Sequence, residues 1–212
     1  MINLVFELGG VLLNWQPRAL VAQSFPTLAT TPAQAAALAD ALFGHPDWLN
    51  FDRGTLSIQT LIDRTAARLN QDPDAVADLI QHYITEQLVP IPSTVALLDR
   101  MRQNRQNSPD LGRSLRLYYL SNMSQEYARA VERFDLMAWF DGGIFSGDVQ
   151  WVKPDPAIYL LLQNRFALVP SQTVFIDDMP HNVQAATALG WRGIHFQSAA
   201  QLADVLADVI GW

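Results

Sequence analysis

The chain has 212 residues, of which 50% are hydrophobic and 17% charged, a net charge of −7, and no cysteine. This length suits one large domain or a domain with an insertion, and the apolar content excludes disorder. The acidic balance argues against a nucleic-acid surface, and the missing cysteine excludes disulfides, thiolate metal sites and a cysteine nucleophile.

The first stretch, Ile2 to Phe6, reads as a buried strand that ends at a lone acid, Glu7, before Gly9-Gly10. A carboxylate at the end of a buried strand is costly unless something positive meets it. From Pro17 to about Leu88 the pattern is helical. Thr31-Pro32-Ala33-Gln34 is a helix start and Gly44 a fitting stop. His45-Pro46-Asp47-Trp48 reads as a loop, Ser57 opens a second helix and Asp72-Pro73 a third. No convincing strand lies in this region.

After Pro90 and Pro92 the pattern changes. A helix is predicted from Ser93 to about Asn104, then a polar connection from Gln106 to Arg113. Strands are predicted at Leu115–Leu120, Gly143–Phe145, Thr173–Ile176 and Gly193–Phe196. Between and after them come helices at Ser124 to about Phe134, Asp155-Pro156 to about Arg165, His181 to Leu189, and Ser198 to about Val209. Strands alternating with helices predict a parallel sheet covered on both faces. The expected fold is therefore a three-layer, Rossmann-like α/β core, residues 1–14 and 89–212, split by an all-helical insertion over 15–88. Arg100, Arg102, Arg105, Arg113 and Arg116 are interleaved with polar residues and read as a solvated face and loop. The N-terminus lacks a basic region and Glu7 interrupts its apolar run, so no signal peptide is expected. No apolar run reaches about 18 residues, so no membrane span is expected and the cytoplasm is the default location.

Open α/β sheets bind ligands at the carboxyl ends of their strands. Glu7, Ser121-Asn122 and Asp177-Asp178 fall at such ends, and Lys153 lies in a loop before a helix. Brought together, they form a site of three carboxylates, a hydroxyl, an amide and one ammonium. Three carboxylates do not share a pocket ionised without compensation. Lys153 offsets about one charge, and the remainder calls for a hard divalent cation with oxygen ligands, Mg²⁺ by preference. Taken singly, Lys153 reads as a surface lysine, Ser121 as a helix cap and Asp178 as a cap of the next helix. The joint pattern is what points to chemistry.

The segments Phe6-Glu7-Leu8-Gly9-Gly10-Val11-Leu12, Leu120-Ser121-Asn122, Val152-Lys153-Pro154-Asp155-Pro156 and Phe175-Ile176-Asp177-Asp178, with Asn182 and Gly190, resemble in order the motifs of the haloacid dehalogenase-like (HAD) superfamily. The resemblance covers the whole chain and makes the 15–88 region a helical cap. It implies a nucleophilic carboxylate at Glu7, which attacks a phosphoryl group and forms an acyl-phosphate. It implies Mg²⁺ held by Glu7, the Gly9 carbonyl, Asp178 directly and Asp177 directly or through water. Ser121, with Asn122 and neighbouring amides such as Gly10, would bind the transferring phosphoryl. Lys153 would steady nucleophile and phosphate alike, and the cap would close over the substrate.

Two departures stand out. The family's nucleophile is an aspartate, and the extra methylene of Glu7 moves the carboxylate by about 1.5 Å. Position 9, which commonly carries a second aspartate as general acid and base, is glycine. The implied activity is Mg²⁺-dependent hydrolysis of a small phosphorylated metabolite by a monomer or homodimer. A degenerate member that binds Mg²⁺ and phosphate is the alternative, and a 2-haloacid dehalogenase a third, disfavoured by the acidic pair Asp177-Asp178. His181 reads as an exposed first-turn histidine, and His45, His82 and His195 share no metal spacing. Trp15, Trp48 and Trp151 read as packing residues or as walls of the cleft between cap and core. Asn50 to Gly54 reads as a turn or as a substrate loop.

Overall fold

The computed structural model describes residues 1–107 and 115–210. Five strands, β1 (Ile2–Phe6), β2 (Leu115–Ser121), β3 (Gly142–Phe145), β4 (Thr173–Asp177) and β5 (Arg192–His195), form one parallel sheet in the order β3-β2-β1-β4-β5. Side chains alternate across a strand, and β1 shows the consequence. Leu4 and Phe6 join a large core with Leu117, Val174 and Ile176, while Val5 joins a second core with Tyr118, Leu120 and Phe175. Both faces of the sheet are buried, as the continuous apolar strands require. Helix α7 (Pro92–Asn107) and helix α12 (Ala199–Ile210) supply residues to the first core, and α10 (Pro156–Arg165) and α11 (Pro180–Ala188) to the second.

Between β1 and α7 the chain is helical: α1 (Pro17–Ser24), α2 (Pro32–Phe43), α3 (Pro46–Asp52), α4 (Ile58–Leu69), α5 (Pro73–Asp78), a π-helical turn (Leu79–Tyr83) and α6 (Ile84–Gln87). Thr31 closes a capping box with Gln34, as its sequence predicts. The predicted loop at His45–Trp48 is instead the start of α3. His45 Nδ1 accepts from the Asp47 amide at 3.1 Å and Pro46 occupies the first turn, so an unusual cap does what serine or threonine ordinarily does. The chain leaves and re-enters the α/β layers side by side. Asn14 N donates to Val89 O at 2.8 Å and Ile91 N to Leu12 O at 2.8 Å.

Two further segments depart from the sequence patterning. The helix opened by Ser124 is α8 (Gln125–Val131), shorter than predicted and followed by a 3₁₀ turn at Asp135–Trp139. A short α9 (Ser146–Val149) continues directly from β3. Helix α7 runs to Asn107, and the rest of the predicted polar connection, with Arg113, lies outside the described residues. Arg102 and Arg105 pair with Asp99 and Asp141. Among the described residues no helix is long and apolar enough to cross a membrane.

The helical segment is pinned to the α/β layers by Tyr127 of α8. Its hydroxyl donates to the Ile80 carbonyl at 2.7 Å, inside the π-helical turn where the regular ladder is interrupted. Its ring packs on Phe51 and Trp48, with centroids 5.7 and 6.3 Å away. Tyr127→Phe keeps the packing and leaves that carbonyl without its buried donor, which costs about 1–3 kcal/mol. Thermal unfolding is expected to fall by about 2–4 °C per kcal/mol; an unchanged Tm would contradict the role given to this bond.

Candidate active site at the carboxyl ends of the strands

Register places the acids together. Phe6 lies opposite Tyr119 of β2 and Ile176 of β4, so Glu7 emerges beside the ends of both neighbours. This is also where the strand order reverses direction, the ligand-binding crevice of an open α/β sheet.

Glu7 is buried, and its carboxylate is held at both oxygens. Oε1 accepts from Ser121 Oγ at 2.5 Å and from the amides of Leu8 and Gly9 at 2.9 and 3.0 Å. Oε2 forms an ion pair with the Lys153 ammonium. The side chain thus folds back towards its own backbone, with Oε1 at the Leu8 and Gly9 amides. A carboxylate offers roughly four lone-pair directions. Oε1 already has three donors, so Oε2 is the oxygen with capacity to spare.

Lys153, 2% exposed, also pairs with Asp177 Oδ2 at 2.6 Å and stands 5.3 Å from the centroid of the Phe175 ring. Burial pulls its ammonium below the ordinary value, and Asp177 opposes that pull. The loop that delivers Lys153 is clamped by Asn122. Its Oδ1 accepts from Lys153 N at 2.8 Å and its Nδ2 donates to Lys153 O at 3.0 Å. The Asn122 side chain therefore positions the lysine.

Asp177 is saturated. Oδ1 accepts from Met179 N at 2.8 Å, Oδ2 from Lys153, and both oxygens from Asn182 Nδ2 at 3.1 Å. The resemblance implies Asp177 as a metal ligand, directly or through water; its Oδ2 also holds Lys153. Asp178 differs. Among the described residues no side-chain donor reaches its carboxylate. Burial, and then the charge of Asp177, push it above the ordinary value while Lys153 pulls it back. It packs on the turn after β1, where Gly10 has φ +75° and a Cβ would lie 2.6 Å from Asp178 Oδ2. Glycine is required there on both counts.

Ser121 donates to Glu7 and is fully buried, so its hydroxyl fixes the carboxylate. Asn182 enters the sequence pattern only as part of a motif. Here it holds Asp177, and its Oδ1 is buried without a partner on the wall of the cleft.

Above these groups opens a cleft of about 510 Å³. Glu7, Gly9, Asn122, Lys153 and Asp178 form its floor, and residues of the helical segment its walls. Trp15 and Trp48 are among the walls, whereas Trp151 is 46% exposed and lies outside the cleft. His181 lies on the exposed rim and His45 on a wall. His195 Nε2 stands 3.1 Å from the Asp178 carbonyl oxygen. Asp52, within the stretch read as a turn or substrate loop, ends α3 and also lines the cleft. Burial pushes its carboxyl well above the ordinary 3.8, opposed by hydrogen bonds from Trp48 and from the backbone of Ser124. Sequence patterning marked the stretch but not this residue, because its surroundings come from the packing of α3 on the loop after β2.

The floor, with Asp177 buried beneath it, carries three carboxylates against one ammonium, which leaves a surplus of negative charge. Among the described residues no three His, Asp or Glu side chains form a ready metal cage. Mg²⁺ does not need one: it keeps waters and is held by one or two carboxylates with substrate phosphates. The free carboxylate of Asp178, the spare capacity of Glu7 Oε2 and the orphaned Asn182 Oδ1 fit such an ion.

A family model described as haloacid dehalogenase-like hydrolase matches residues 5–190. A drimenol cyclase of Aspergillus calidoustus is 26% identical over 98% of this chain, which spans only 36% of that protein's length. A sesquiterpene phosphatase of Aspergillus oryzae is 22% identical over 98% of this chain and 95% of its own. A HAD family enzyme of Bacteroides thetaiotaomicron, solved with magnesium and inorganic phosphate, superposes with a TM-score of 0.70 over 95% of this chain and 98% of its own, at 18% identity.

Two outcomes test the site's electrostatics. Lys153→Met strands two buried carboxylates, and breaking a buried pair in this way costs about 3–5 kcal/mol; denaturant unfolding with a midpoint equal to that of the natural protein would contradict the pairing. For Asp52, the folded state binds more protons than the unfolded state above about pH 4, so stability falls as pH rises from there towards the raised folded value. Asp52→Asn keeps an acceptor for Trp48 and Ser124 and removes that fall. Profiles of Tm against pH should diverge between the two proteins; parallel profiles would refute the burial effect.

Proposed function

The chain belongs to the haloacid dehalogenase-like hydrolase family, and on that footing we propose that it is a Mg²⁺-dependent phosphatase that hydrolyses a small phosphate monoester through an acyl-phosphate on Glu7. The observation that carries this reading is the held carboxylate: one oxygen of Glu7 is locked by three donors while the other faces Lys153 at the floor of the cleft. The sesquiterpene phosphatase, which aligns over nearly its whole length, supports a phosphoryl substrate.

In this reading Oε2 attacks phosphorus, the bond from phosphorus to the ester oxygen breaks, and the alcohol leaves with a proton from solvent, since Gly9 has none to give. Water then attacks the acyl-phosphate, releases inorganic phosphate and restores the carboxylate. Ser121 and the Leu8 and Gly9 amides keep Oε2 turned to the cleft, and Lys153 offsets the charge that the phosphate brings. Asp178 and the Gly9 carbonyl would hold Mg²⁺ beside Glu7, which leaves Oε2 for the attack. When bound, the ion would polarise the phosphoryl oxygens and neutralise the surplus charge. The helical segment would act as the cap over the substrate.

Glutamate in the nucleophile's place favours a second reading, a protein that binds phosphate and Mg²⁺ without turnover. Phosphate release from a monoester panel with Mg²⁺ separates the two. The natural protein should be active, Glu7→Gln should be at least about 10³-fold slower, and Glu7→Asp about tenfold faster, since a 1 Å error in attack geometry costs on the order of 10²-fold. Equal activity of Glu7→Gln would overturn the nucleophile. If the natural protein and Glu7→Asp are both inert while both bind phosphate, the binding reading stands instead. Metal-free halide release from a 2-haloacid would place the chain with the dehalogenases.

A further inference from the structure

We infer that the ester cleaved here has an apolar, uncharged alcohol, a hydrocarbon or aromatic group, in preference to a sugar, hydroxy acid or nucleotide. The inference rests on the phosphatase reading and deepens it from the walls of the cleft. Six of them, Trp15, Phe43, Trp48, Leu88, Met123 and Tyr127, are apolar or aromatic. The aromatic ones form a continuous surface. Phe43 lies edge-on to both Trp15 and Trp48, with centroids 5.0 and 4.7 Å away, and the two indoles stack at 6.2 Å. Leu49 and Met179, 40% and 44% exposed, carry this surface out to the mouth.

The polar groups of the walls are few: Asp52, His45, His181 and Asn182. Asp52 accepts from Trp48 and Ser124 through its side chain, and from Ser146 Oγ at 2.6 Å through its carbonyl. His45 spends Nδ1 on the Asp47 amide. Among the described residues no arginine lines the cleft, and its one lysine is committed to Glu7 and Asp177. A second anionic group on the substrate, such as a carboxylate or another phosphate, would meet the surplus acid of the floor without a fixed cation. Sugar hydroxyls would lose water and find few partners. A hydrocarbon gains from burial against aromatic walls at no such cost, and the volume of about 510 Å³ lies within the range of small-molecule sites.

The test is a homologous series. The rate constant kcat/KM with Mg²⁺ is measured for ethyl, butyl and octyl phosphate, for phosphoglycolate and for glucose 6-phosphate. Binding of ethyl- and octylphosphonate is followed by the fluorescence of Trp15 and Trp48. The inference predicts a rise of at least about 30-fold from ethyl to octyl, consistent with a few-fold per buried methylene, and a matching order in phosphonate affinity. Phosphoglycolate and glucose 6-phosphate should fall below butyl phosphate. Phe43→Ala, at a half-buried position, should lower the octyl-to-ethyl ratio. Hydrolysis that is flat or falling with chain length, or that prefers phosphoglycolate, overturns the inference and leaves the phosphatase reading standing. Absence of any turnover with octylphosphonate still bound at least about 30-fold more tightly than ethylphosphonate overturns the phosphatase reading and sustains the apolar site. Equal phosphonate affinities overturn the inference whether or not turnover occurs.

Discussion

The buried ammonium of Lys153 is the constraint on which the site depends. It lies between the carboxylates of Glu7 and Asp177, at the ends of neighbouring strands. Without it two acids would face each other in a region of low dielectric, and one would have to take up a proton or move. Much of the nearby architecture serves this one cation. Asn122 clamps its backbone on both sides, Asn182 and the Met179 amide orient Asp177, and Ser121 orients Glu7. The site is therefore assembled by groups that position one another.

That assembly assigns different work to acids of the same type. Asp177 has a donor on each oxygen and is structural to the lysine, while Asp178, beside it, has none from side chains and is pushed towards its neutral form. Glu7 sits between these extremes, with one oxygen locked and one available. The same logic separates floor from walls. The floor concentrates charge and oxygen ligands, while the walls offer aromatic surface and few polar groups. A ligand that matches both parts has an anionic head and a body without charge.

Much of this was legible in the sequence, for physical reasons. Continuous apolar strands ending in Glu7, Ser121 and Asp177 can only be buried on both faces, and a parallel sheet aligns their carboxyl ends. The helical patterning of residues 17 to 87 carried its own caps. Other features were hidden because they arise from contacts distant in sequence. His45 is not a common cap, so α3 read as a loop. The division of roles between Asp177 and Asp178 depends on which of them faces Lys153. Asn182 and Asp52 owe their significance to packing, Asn182 against β4 and Asp52 against the loop after β2. The sequence also hid how Glu7 is held: its Oε1 meets the Leu8 and Gly9 amides of its own turn.

In the proposed reaction Glu7 carries the phosphoryl group during turnover. The most direct measurement is to mix the protein with excess phosphate monoester and Mg²⁺, quench in acid within the first turnover, digest, and weigh the peptide that contains Glu7. A fraction of this peptide is expected to carry the mass of one phosphoryl group, and the label to disappear when the substrate is exhausted. Release of phosphate with no label on Glu7, or with the label on another residue, would contradict it.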